Sequence, residues 1–240
     1  MVETLSMLRG KDIEIADNIT IRQPTLGEIE EYDEFAYMSM VSTFVCTPFD
    51  MIAQLDKEGF DFTKVTSFQL FCLLCRQLKQ SETKILFGDL DFSSLRAVTN
   101  ERNQIELRNK NVVITEKVYQ DISDSVRVIN SIPPPMFKGV ADEHTKQKMI
   151  EYAYDELEFA KRRKPKSGLR TMVSRATNHP YFKYRLDEVW DMTVYSFYDA
   201  IKSIGIVEGT YQLNMGIYCG NVDMKKINKN NCNWLREAKD

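Results

Sequence analysis

The sequence predicts a mainly α-helical protein with a small antiparallel β meander and a short N-terminal β-hairpin. Glycine occurs 10 times and proline 7 times in 240 residues, which is about 4% and 3%, below the usual ~7% and ~5%. Scarce turn residues favour long elements, and many apolar residues recur at the helical spacing of three and four. Hydrophobic residues make up 43% of the chain. This content is enough for a full core and excludes general disorder.

The N-terminal third predicts a hairpin followed by an amphipathic helix. Isoleucines alternate at 13–15 and 19–21 around Asp17-Asn18, a hairpin pattern. A helix should begin near Pro24, because Thr25 and Glu28 have the spacing of a capping box. One buried stripe is expected from its apolar spacing, formed by Leu26, Ile29, Tyr32, Ala36, Met40 and Phe44.

Two further helices are predicted before residue 79. Pro48 ends the first long helix and starts the next, which should run to Gly59. Thr66 and Gln69 cap a third helix through Leu78. That helix is apolar nearly all round, so its predicted place is the centre of the core.

The middle of the chain predicts the meander, a helix and a linker. Short segments at 92–98, 105–108 and 112–114 are separated by turn residues, and a helix follows at 115–130. The prolines of 132–135 mark a boundary. The predicted division is an N-terminal helical region at 1–130 with a β insertion at about 89–114, a Pro-rich linker at 131–141 and a C-terminal helical region at 142–240. The alternative that the C-terminal region and residues 1–130 form one compact body is left open.

The last 100 residues predict helices. One spans 142–164, and the expected buried face of this helix consists of Met149, Ala153, Leu157 and Ala160. A second spans 167–178. A third starts at Val194, and residues 210–219 can add another turn or two. The apolar pair Trp234-Leu235 suggests that the end of the chain docks on the body.

The cysteines predict neither a metal site nor a disulfide. Cys72 and Cys75 form a CxxC inside an apolar helix, and Cys219 and Cys232 are thirteen apart. Zinc would need a second pair or histidines at ligand spacing, and a redox motif would open a helix after a strand. All five cysteines are therefore expected to be free thiols, with Cys72 and Cys75 in the core.

No enzyme is predicted, and no cofactor. The sequence lacks phosphate-binding glycine loops and the G-x-S-x-G elbow. His144 and His179 are the only imidazoles, one in a charged helix start and one before a proline. A calcium loop from Asp89 fails at its sixth position, Ser94, and at its twelfth, Asn100. No named chemistry therefore has its full set of groups.

Charge and hydropathy favour neither nucleic acid nor membrane. The net charge is −3, and the basic run at 161–166 is expected to be the solvated end of a helix. The N-terminus has no secretory pattern. The longest uncharged run, 35–49, is shorter than the ~20 apolar residues of a membrane span. A cytoplasmic location is therefore expected.

Several stretches of sequence together resemble a family of phage proteins. These stretches are residues 19–29, 47–51, 66–71, 178–184, 188–192, 212–218, 220–223 and 233–234. They are similar to virion-morphogenesis proteins encoded by tailed bacteriophages of Gram-positive hosts. Some of these look like tail assembly chaperones, which hold the tape-measure protein before the tail tube polymerises around it. The resemblance carries over no catalytic or ligand residues.

The resemblance implies a non-enzymatic tail assembly chaperone in the host cell cytoplasm. Its expected partners are the tape-measure protein or other tail proteins, with homo-oligomers as an open alternative. Two other interpretations are a structural tail or connector protein of the virion and a nucleic-acid-binding regulator. Since aromatic side chains dominate binding hot spots, the candidate partner-binding residues are Trp190, Tyr195, Tyr198 and Tyr211.

Overall fold

A computed structural model describes residues 5–136 and 139–236 of the chain. The N-terminal residues 1–4, which bear on the prediction about a secretory signal, lie outside the described residues, as do positions 137 and 138 of the predicted linker and the final residues 237–240. Within the described part the α-helices are α1 (Leu5–Leu8), α2 (Leu26–Tyr32), α3 (Glu34–Val45), α4 (Ile52–Lys57), α5 (Ser67–Leu74), α6 (Gln80–Phe87), α7 (Glu116–Ile129), α8 (Glu143–Arg162), α9 (Gly168–Thr177) and α10 (Val194–Tyr218).

Two small antiparallel sheets accompany these helices. Their strands are β1 (Ile13–Ala16), β2 (Ile19–Ile21), β3 (Arg96–Thr99), β4 (Ile105–Arg108) and β5 (Val113–Ile114). β1 and β2 form the N-terminal hairpin, and the other three form the meander in the order β3-β4-β5. The predicted fold class is confirmed. The meander begins later than predicted, because Phe92–Ser94 forms a 3-10 turn whose first residue enters the core.

The main core is centred on Phe44 of α3. Its ring lies 4.6 Å from the ring of Phe87, 5.1 Å from Phe92 and 5.4 Å from Phe71, measured between centroids. These are favourable aromatic distances. α3, α5 and α6 therefore meet the start of the meander at one point, and α7 packs against α3 beside it.

The first long helix is interrupted, which the stripe at three and four does not predict. Asp33 has φ 89° and separates α2 from α3, and its side chain accepts a hydrogen bond from the Ala36 backbone N–H. Asp tolerates positive φ better than most residues and is a good N-cap. The break shifts the phase of the helix, so Ala36 is exposed and Tyr37 is buried in its place.

The central helix is only partly as predicted. The Thr66–Gln69 capping box is present, but α5 ends at Leu74 and continues as the 3-10 turn Cys75–Gln77. Its apolar residues face two separate clusters, the main core and a second one that contains Leu70. Leu73 points to neither cluster and is 49% exposed. Apolar character all round therefore does not bury every side of this helix.

α8 covers the second cluster, which contains Cys46, Ile52, Leu55, Phe62 and Leu70. Met149 and Ala153 pack on this cluster but are only half-buried, and Ala160, predicted to be on the buried face, is exposed. The helix is polar on most sides and lies at the edge of the fold. Lys146 Nζ lies 3.0 Å from Asp61 Oδ2, and Tyr154 donates a hydrogen bond to Asp56.

The C-terminal helices contribute to the main core as well. Leu169 and Val173 of α9 and Phe197 of α10 belong to the same cluster as Phe44. The division at residues 131–141 stays a prediction.

α10 is a single helix of 25 residues, and residues 210–219 continue it without a break. The chain beyond it returns along its surface, where the carbonyl of Asn231 accepts a hydrogen bond from Thr210. The end of the chain therefore lies against α10, but not through its apolar pair, because Trp234 and Leu235 are 59% and 71% exposed. Backbone carbonyls hold this segment instead. No helix among the described residues combines the length and hydropathy of a membrane span.

Candidate functional site

An apolar groove of about 560 Å³ opens between α2, the start of α3, α9 and the segment before α10. We call it the Trp190 groove. Buried residues form its floor, and exposed ones form part of its rim. The apolar lining residues are Leu26, Ile29, Phe35, Leu169, Val173, Leu186 and Trp190. Phe35, Leu186 and Trp190 are 44%, 56% and 40% exposed, so large apolar side chains border an open cavity.

Backbone contacts fix the Trp190 end of the groove against the start of α2. The N–H of Leu26 donates to the carbonyl of Met192 at 2.9 Å, and the N–H of Val194 donates to that of Pro24 at 2.9 Å. A Cβ added at Gly27 would lie 3.1 Å from the backbone oxygen of Trp190. Only a glycine lets these two segments approach so closely without a shift.

At the other end of the groove, Glu34 of α3 connects α3 to α9 by a hydrogen bond. One of its carboxylate oxygens accepts a hydrogen bond from the Leu169 backbone N–H at 3.0 Å. Leu169 lies in the first turn of α9, where backbone N–H groups have no partner inside the helix. Ser167 caps the same turn by accepting from the Arg170 N–H at 2.9 Å. A carboxylate at this position also complements the positive end of the helix dipole.

The groove wall formed by α2 and α3 is acidic. Glu30, Asp33 and Glu34 line it, and Arg170 lies on the opposite wall. Among the described residues, Arg170 forms no ion pair within 4.0 Å with any of these carboxylates. Tyr198 lies close to this end, and its pKa is raised by burial and by the negative charge of Glu34.

The four predicted binding residues do not share one surface. Trp190 lines the groove. Tyr195 is 5% exposed in the main core, and Tyr198 is half-buried against that core. Tyr211 is 61% exposed on the distal half of α10, away from the residues that line the groove. Sequence reasoning missed Phe35 and Leu186, because an exposed apolar residue has the same sequence signature as a buried one.

The histidines and cysteines are placed as follows. The His179 ring accepts a hydrogen bond from the Tyr181 N–H at Nδ1, and its Nε2 lies 3.0 Å from Glu208. No group of three potential metal ligands is found in the part of the chain that the structure describes. The cysteines are free, and burial raises the pKa of the Cys72 and Cys75 thiols to about 11.

Residues 161–239 match the model of a protein family described as the YomV second domain. The match covers about a third of the chain and includes α9, Trp190 and α10. The matched residues therefore form the α9 wall and the Trp190 end of the groove. It points to a phage-derived protein. Comparisons with curated proteins and with solved structures give no match.

Proposed function

We propose that the protein is a non-enzymatic tail assembly chaperone that holds a helix of its phage's tape-measure protein in the Trp190 groove. The observation that carries the proposal is the groove itself, a preformed apolar cavity bordered by exposed Phe35, Leu186 and Trp190. The phage-associated domain match supports the setting. A tape-measure protein is expected to offer long amphipathic helices that need shielding before the tail assembles.

The groove suits a helix face. An amphipathic helix presents apolar side chains at i, i+3, i+4 and i+7, and a hydrophobic groove accepts them. The lining combines these apolar side chains with polar groups from Ser174 and Asn178 of α9 and with the acidic wall. Partly polar surfaces are typical of complexes that form and dissociate. This property fits a chaperone, which must release its client.

Trp190 is the proposed anchor of the client helix. It is 40% exposed, so part of the side chain is still available to a partner. Truncating an aromatic hot-spot residue to alanine costs ~2 kcal/mol or more of binding, which is about 30-fold in Kd.

Co-expression with the tape-measure protein tests the proposal. The wild-type chain should keep that protein soluble and co-elute with it in gel filtration. Trp190→Ala should lose the complex, whereas Trp234→Ala, a matched change at an exposed tryptophan outside the groove, should retain it. Thermal melts of both variants separate a binding defect from unfolding. A tape-measure protein that is equally soluble without the chain contradicts the chaperone role.

Two outcomes would favour the other interpretations. A stoichiometric amount of the protein in purified particles, detected by mass spectrometry, would favour a structural virion component and a location in the virion instead of the host cytoplasm. A salt-sensitive gel shift with DNA or RNA would favour a nucleic-acid-binding regulator acting through the basic run at 161–166. Within that run Arg162 pairs with Glu158 at 3.2 Å.

A further inference from the structure

The two ends of the Trp190 groove differ in chemistry. At one end Trp190 meets Gly27 and the floor is apolar. Glu30 lies almost one helical turn further along α2, and Asp33 and Glu34 lie at the far end. At 1.5 Å per residue, α2 rises about 8 Å from Gly27 to its last residue, Tyr32, and Asp33 and Glu34 follow directly at the break before α3. A helix lying in the groove therefore meets an aromatic end and an acidic end.

The acidic end keeps unused capacity for a cation. One carboxylate oxygen of Asp33 accepts a hydrogen bond from the Ala36 N–H, and one of Glu34 accepts a hydrogen bond from the Leu169 N–H. Each carboxylate has a second oxygen that can accept hydrogen bonds. Glu30 has an exposed side chain with no ion pair within 4.0 Å among the described residues. The groove is lined by these three carboxylates and by one cation, Arg170 on the facing wall, so negative charge is in excess by two.

We infer that the groove selects a helix whose apolar stripe is flanked at one end by lysine or arginine. The apolar side chains fill the cavity up to Trp190, and the cations lie over Glu30, Asp33 and Glu34. This inference rests on the proposed function and names the charge pattern of the client. Lysine or arginine on the client complements the acidic end, whereas like charges placed opposite each other disfavour an acidic partner.

Model peptides test the inference without the tape-measure protein. The probes are three amphipathic peptides of about 18 residues with the same leucine stripe and with three lysines, three glutamines or three glutamates at one end. Trp190 fluorescence in a Trp234→Phe background reports binding in the groove, because the chain has two tryptophans.

The lysine peptide should bind about tenfold more tightly than the glutamine peptide at about 0.05 M salt, since the contributions of a few exposed ion pairs together give roughly this ratio. The glutamate peptide should bind most weakly. At about 0.5 M salt the three affinities should converge. Equal affinities at low salt, or no binding by any peptide, would overturn the inference. Binding of the glutamine peptide alone would still support the groove as an apolar site, so the two proposals can fail separately.

A charge reversal with a matched control localises the effect. Glu30→Lys should weaken the lysine peptide by about threefold to tenfold at low salt. Glu31→Lys makes the same change on the neighbouring residue, which is exposed and does not line the groove, and should change the affinity less than twofold. Equal effects of the two variants would overturn the inference, since they would reflect net charge alone. A salt-sensitive dimer of the protein alone that Glu30→Lys dissociates would place a second copy in the groove and also overturn it.

Discussion

Replacing Glu34 by alanine should loosen the groove without unfolding the protein. Its carboxylate accepts a hydrogen bond from the Leu169 N–H at 3.0 Å across 135 residues of sequence. A hydrogen bond to a charged group contributes about 1.5–3 kcal/mol when desolvated, and this one is only partly buried. A carboxylate at a helix N-terminus adds about 0.3–1 kcal/mol. We therefore expect a loss of about 2 kcal/mol in the free energy of unfolding.

Thermal and urea unfolding measure this loss. For a chain of this length about 2 kcal/mol lowers Tm by roughly 4–8 °C. Glu34→Gln keeps an oxygen acceptor and should lose about 0.5 kcal/mol. Glu31→Ala, at an exposed neighbouring position, should stay within about 0.5 kcal/mol of wild type. Hydrogen exchange should show faster opening of α9 in Glu34→Ala. Unchanged stability and unchanged exchange in α9 would refute the role of this contact.

Three further predictions concern the core, the thiols and pH. Tyr37→Phe should cost about 1–3 kcal/mol in urea unfolding, because the Tyr37 hydroxyl donates to Asn130 at 2.8 Å in the buried core; a loss below about 0.3 kcal/mol would contradict it. Iodoacetamide at neutral pH should alkylate exposed Cys219 well before buried Cys75, as read by peptide mass spectrometry, and equal rates would show that the core opens readily. Partial burial raises the pKa of Glu28, but hydrogen bonds from the Thr25 backbone and from Arg22 lower it below its usual 4.5 overall. The ionised Glu28 therefore stabilises the fold fully above pH 4.5, and this stabilisation is lost as the pH falls. In Glu28→Gln the free energy of unfolding should differ less between about pH 6 and about pH 3 than it does in the wild type, and an unchanged difference would count against the prediction.

Local signals predicted much of the fold. The capping pairs Thr25–Glu28 and Thr66–Gln69 form as predicted, since a capping box depends on residues three apart. The break at Asp33 was missed, because a positive φ at an aspartate depends on what the flanking helices pack against. α6 was also missed, since its polar first turn hides the short apolar end of the helix.

The candidate site could be predicted only in part. Trp190 was chosen by residue type, and it does line the groove. The groove itself joins residues 26–35 to residues 167–190, and no local pattern shows that these segments meet. Tyr195 shows the limit of residue type as a guide, because its ring lies in the core at 5% exposure. Exposure and long-range pairing are properties of the folded chain.

Site-specific photo-cross-linking shows whether the tape-measure protein binds in the Trp190 groove. A photoreactive amino acid replaces Leu186, which is 56% exposed on the groove rim, or Leu73, which is 49% exposed on α5 away from it. Each full-length variant is co-expressed with the tape-measure protein and irradiated. We expect a cross-linked tape-measure product from position 186 and none from position 73. Cross-linking from position 73 alone, or equal cross-linking from both, would contradict the assignment of the groove as the client site.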